Sequence, residues 1–150
     1  MPVPNYRGFK DSVDSNAPPD QFLQTIYLGD RACKGYTVDS WEQSFSLLVD
    51  NISRIRDPDG IWRFDSSHDI PNGRLVFENV TALAFTPAGP LPNDYILGIS
   101  VEPVENSYLF VIKVASVEGG SGESCEVVIS VTASELYLED PRRPGEQIRE

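Results

Sequence analysis

A mainly β domain is what this sequence predicts: an antiparallel sandwich or meander of about eight strands with one short N-terminal helix. Three observations point there. Residues 108–115 are apolar on both alternating faces except at Lys113, the pattern of a strand inside a sheet. Residues 125–133 alternate Val127, Ile129 and Val131 with Glu126, Val128, Ser130 and Thr132, so that strand has one buried face and one more polar face. Gly119, Gly120 and Gly122 lie between them and can take the positive φ angles of a hairpin loop. Elsewhere strand patterns follow one another without intervening helices, which argues for antiparallel pairing.

The earlier elements follow from local pattern. Pro2, Pro4 and Asn5, with Pro18 and Pro19, mark residues 1–19 as an irregular arm. Asp20 can cap a short helix carrying Phe22, Leu23, Ile26 and Tyr27, closed by Gly29. Ile26, Tyr27 and Leu28 suit a strand equally well, so both readings stand. From Cys33 the period becomes two, with a turn at Asp39 and Ser40 and a second arm carrying Phe45, Leu47 and Val49. The alternation slips near Asn51, as at a bulge, before Ile52 and Ile55. Asp57, Pro58, Asp59 and Gly60 spell a tight turn, and Ile61, Trp62 and Phe64 return from it.

Residues 65–73 read as a polar loop, 74–77 as a short strand, Asn79 as a turn, and 80–86 as a strand with Leu83 and Phe85 on one face. Pro87, Gly89, Pro90 and Pro92 break the pattern. Tyr95, Leu97, Ile99 and Val101 then alternate inward, with Ser100 and Glu102 outward and Pro103 as the stop. The domain is expected over 20–141, with 142–150 a charged surface tail. Trp41, Phe45, Leu47, Trp62, Phe77, Leu83, Phe85, Ile99, Phe110, Ile112, Ile129 and Leu136 make the expected core.

Charge narrows the function. Lys and Arg total 12 against 23 Asp and Glu, a net charge of -11 over 150 residues. That disfavours nucleic acid, whose binding is driven by cations releasing counterions, and it disfavours anionic membranes. No apolar run reaches the roughly 20 residues of a membrane helix, and the first ten residues lack the apolar core of a signal peptide. The expected location is cytoplasmic, where Cys33 and Cys125 would be reduced and mostly buried; a Cys33–Cys125 bridge is the alternative for an exported chain.

Chemistry is thinly represented. His68 is the single histidine, within Ser66, Ser67, His68 and Asp69. Sequence neighbours rarely face one another as a triad, so a solvated loop is expected and no catalytic residue is assigned. Cys33, Cys125 and His68 are too scattered for zinc. Asp57, Asp59 and Asp65 suit a hairpin better than a calcium loop. The glycine loop lacks the lysine and helix of a phosphate cradle. No cofactor and no metal are expected. Arg31, Arg54, Arg56, Arg63 and Arg74 could form an anion pocket, although Asp30, Asp50, Asp57, Asp59 and Asp65 lie near enough in sequence to pair with them.

The acidic surplus is regional: residues 75–141 hold ten acidic side chains and one basic one, Lys113. Such a balance steers basic partners. The residues expected to present it are Asp94, Glu102, Glu118, Glu123, Glu126 and Glu135.

The run YLGDRACKGYTVDSW, followed by ISRIRDPDGIW, GRLVFENV, PNDYI and LYLEDP, resembles a family of small uncharacterised bacterial β-domain proteins over residues 22–141. What the resemblance implies is a single β-domain, a bacterial source, and a role of the toxin-immunity type; it carries over no catalytic residues. The expected function is therefore a non-enzymatic, immunity-like inhibitor presenting an acidic surface to a basic protein partner such as a toxin. The alternatives are a small-ligand binder or enzyme using the Arg-rich first half with Asp69 and His68, and a structural adaptor domain.

Overall fold

The computed structural model describes residues 18–28, 31–54, 69–117 and 124–149. A single helical turn, α1 (Pro19–Leu23), leads into β1 (Ile26–Tyr27), so the helix carries Phe22 and Leu23 but ends before Ile26 and Tyr27, which follow the strand reading. The N-cap is Pro18, not Asp20; Asp20 lies in the first turn, where its charge suits the helix dipole. Phe22 is fully buried and anchors the turn.

The strands that follow are β2 (Cys33–Asp39), β3 (Ser44–Val49), β4 (Asn51–Arg54), β5 (Ile70–Pro71), β6 (Arg74–Glu78) and β7 (Ala82–Thr86). Then come β8 (Ile96–Val104), β9 (Ser107–Val117), β10 (Ser124–Ala133), β11 (Glu135–Glu139) and β12 (Gln147–Ile148). Every pairing is antiparallel. Among the described residues there are twelve strands, more than the expected eight, in part because β1, β5 and β12 are two-residue strands, too short to show a period.

A four-stranded sheet has the order β7-β10-β9-β8, and a five-stranded sheet the order β12-β11-β6-β3-β2. A small third sheet, β1-β4-β5, closes one side. Phe45, Leu47, Phe77 and Leu138 of the five-stranded sheet share one core with Phe110, Ile112, Ile129 and Val131 of the four-stranded sheet. The central hairpin is as the sequence predicts: β9 and β10 pair from Tyr108↔Ala133 to Val117↔Ser124, and β9 lies between β8 and β10. Its glycine loop, the 57–60 turn, the returning strand with Trp62, Ile55, Gly29 and the arm at 1–17 lie outside the described residues.

Two chain segments cross between the sheets at one corner. β6 runs into β7 through Asn79, and β10 runs into β11 through Ser134. Asn79 takes φ +57°, which asparagine tolerates better than most residues. Its amide donates to Ser134 Oγ at 2.9 Å and to Glu135 Oε2 at 2.8 Å, tying the crossings together.

Two expectations are corrected. Trp41 is 92% exposed, because it sits in the turn between β2 and β3 and not on a strand. Tyr95 and Leu97 are 54% and 56% exposed, and Ile96 is buried in their place. The cause is an irregularity in β8: Ile96 pairs with Val114 and Gly98 with Lys113, leaving Leu97 extra, so the faces invert across it. Ile99 and Val101 do pack on the core. β12 adds part of the exposed tail to the edge of the five-stranded sheet by pairing with β11.

Cys125 is exposed while Cys33 is 1% exposed, and both are free. Burial also pushes the Cys33 thiol up, which further depletes its reactive thiolate. A thiol-specific chromogenic reagent should therefore modify one cysteine quickly in the native protein and the second only on unfolding. Two fast equivalents would place Cys33 at the surface.

Candidate functional site: an acidic corner with an exposed tryptophan

Of the six acidic residues expected to act together, the four described ones are distributed over the fold. Glu102 lies opposite Leu109, and Glu126 opposite Ala115. Six residues along β9 separate those two positions, about 20 Å at about 3.3 Å per residue. That exceeds two screening lengths of about 8 Å in physiological salt. Asp94 is at the Ala115 end, where its amide donates to the Ala115 carbonyl at 3.0 Å. Glu135 belongs to the five-stranded sheet. Glu118 and Glu123 lie outside the described residues.

Glu135 instead joins acids that sequence reasoning missed. Register places Asp39, Ser44, Glu78 and Glu135 in one row across β2, β3, β6 and β11. Ser44 precedes the buried Phe45, so this row faces outward. Glu78 and Glu135 are directly opposed like charges, an unfavourable cross-strand pair. Arg149 offsets it, reaching Glu135 at 2.9 Å and Glu78 at 3.7 Å while its guanidinium stacks on Tyr137. Burial pushes the Glu78 carboxyl up, and Glu135 and Glu42 push it further, with Arg149 opposing. Glu42 is thus part of the same negative field.

Trp41 stands at the edge of that field, in the turn at residues 40–43. The turn is held at both ends. Glu42 donates its amide to Asp39 Oδ1 at 3.0 Å, and Gln43, at φ +56°, accepts from the Val80 amide at 2.8 Å. Between this turn and the start of β7 runs an open groove of about 240 Å³, lined by Val38, Val80 and Leu83 together with the polar Asp39, Gln43 and Thr81; Trp41 itself is not part of the lining. The signal in the sequence was local: an aromatic flanked by Asp39, Ser40 and Glu42 belongs to a turn, and a turn residue is exposed.

The Arg-rich alternative finds its described arginines engaged with neighbours. Arg31 donates to Ser53 Oγ, Arg74 donates to Ser46 Oγ at 3.4 Å, and buried Arg54 lies over the Phe22 ring. Arg56, Arg63 and His68 lie outside the described residues. Asp69 is buried; it accepts from Asn51 at 2.9 Å, and its carbonyl accepts from Arg142 at 3.0 Å. Arg142 in turn grips Asp140 through two bonds of 3.0 Å and holds its carboxyl below the ordinary range. This network fastens the C-terminal segment to the strand at β5. Among the described residues no group of three His, Cys, Asp or Glu is placed to hold a metal ion, and no helix is long and apolar enough to cross a membrane.

Comparison with curated proteins and with solved structures gives no match. A family model does match, and its span of residues 17–150 runs past the expected limit at Pro141 to take in the paired C-terminal strand. The chain belongs to that family, described as a family of unknown function (DUF6258).

Proposed function

We propose that this protein is a non-enzymatic binding domain that presents an acidic surface to a basic protein partner, as an intracellular bacterial inhibitor of the toxin-immunity type would. The observation that carries this is the exposure of the acidic surplus. Residues 75–141 hold ten acids and one base. Eight of those acids are among the described residues, and of these only Asp140 is buried. The negative charge therefore stands at the surface, where it raises encounter rates with cationic proteins. The two unbridged cysteines fit a reducing compartment.

The test begins with crosslinking in the source cell to identify the partner, which should be a protein of net positive charge. Its association rate should fall about tenfold or more between low and physiological salt. Reversing Asp94, Glu102 and Glu126 to lysine should slow association at low salt. A partner without cationic surplus, or an association rate indifferent to salt, overturns the reading. A toxin gene beside this one would support the immunity role.

A further inference from the structure

Resting on that reading, we propose that Trp41 and the groove beside it form the docking surface for a cationic segment of the protein partner. The indole contributes little to the fold, since it is 92% exposed and its turn is held by backbone and Asp39 contacts. Tryptophan offers a large apolar area at small conformational cost, and it is over-represented among residues that dominate binding energy. The backbone beneath it is already fixed at Asp39 and Gln43, so less ordering is required on binding.

The groove sets the size of what enters. At about 240 Å³ it is smaller than the usual small-molecule pocket of about 300–1,000 Å³. Its apolar walls, Val38, Val80 and Leu83, suit an aliphatic or aromatic side chain of a peptide segment. Charge sets the rest of the segment. Asp39 and Glu42 lie at the turn itself, and Glu78 and Glu135 continue the outward row over the next strands, with Arg149 as their counter-charge. Arg149 bridges Glu78 and Glu135, which leaves Asp39 and Glu42 as the carboxylates beside the groove. A lysine or arginine beside the inserted side chain would meet that field, and could also lie on the indole face.

The experiment is selection of a displayed library of random twelve-residue peptides against the whole chain, followed by affinity measurement on the enriched peptides. The expected result is enrichment of lysine- or arginine-bearing peptides with a large apolar residue. Trp41→Ala should weaken them at least about tenfold, the scale of a truncated hot spot. Thr81→Gln, which places a longer neutral side chain in the groove lining, should do the same. Both positions are exposed, so an unchanged thermal midpoint verifies the fold. Trp41→Ala leaves the net charge unaltered, so its effect separates docking from nonspecific attraction. Cationic peptides that bind both variants as tightly as the parent overturn this surface and leave the acidic-surface reading standing. No enrichment, or enrichment of neutral or acidic peptides, overturns both.

Discussion

Truncating Phe110 to alanine should destabilise the protein by about 3–5 kcal/mol, the usual range for losing a buried aromatic side chain. Phe110 is 0% exposed and sits on the central strand β9, between Val101 of β8 and Val131 of β10. Its ring meets Phe77 of the opposite sheet edge-on, with centroids 4.9 Å apart and an interplanar angle of 62°. The substitution removes apolar surface from the centre of both layers, and it leaves Phe77 facing a void that the sheets cannot collapse to fill. Urea denaturation reads the effect as a lower midpoint with an unchanged slope. A midpoint equal to that of the parent would show that the two sheets do not share this core.

Gly73→Val should cost about 1–3 kcal/mol, the range for overpacking an occupied interior. Gly73 lies in the tight turn between β5 and β6, and its carbonyl accepts from the Val49 amide at 2.9 Å. A Cβ there would come within 2.7 Å of Ile52 Cδ1 and 2.9 Å of Ile70 Cγ2. Both atoms are side-chain ends, so Gly73→Ala can be absorbed by a small shift, but valine adds two more methyl groups to the same space. Ile52→Val removes the nearer obstacle. The double variant Gly73→Val with Ile52→Val should therefore lose less stability than the two single losses added together. Strict additivity in the denaturation midpoints would show that the glycine is needed for some reason other than space.

The sequence was most informative where both arms of a pairing were adjacent. The β9–β10 hairpin, the β2–β3 hairpin and the turn at Asn79 follow from alternation and turn chemistry alone. The inward face of β8 did not, because one extra residue at Leu97 reverses which side chains point in, and its one local mark is Gly98 beside it, a residue that suits a bulge inside a strand pattern. Hydrophobicity alone points Trp41 to the core, whereas Asp39, Ser40 and Glu42 around it are the composition of an exposed turn. The acidic row was the least accessible. Asp39, Glu78 and Glu135 become neighbours only through β3–β6 and β6–β11 pairing, and long-range register has no local signature. Of the expected acids, Glu102 and Glu126 lie on β8 and β10, which β9 separates, and Glu135 lies in the five-stranded sheet.

The corner at Asn79 and Ser134 also bears on how the chain acquires its structure during synthesis. The five-stranded sheet draws on residues 33–49, 74–78, 135–139 and 147–148, and the register partners Glu78 and Glu135 are about 57 residues apart in the chain. β6 obtains its second neighbour only when β11 has left the ribosome, and β11 only when residue 148 has followed. The apolar face of β3 and β6 packs against β9 and β10, so in a nascent chain it stays uncovered until residues 107–133 have followed. Closing so distant a pairing carries a loop-entropy cost before any contact rewards it, which puts this domain among slow, late-folding β topologies that rely on being shielded while incomplete.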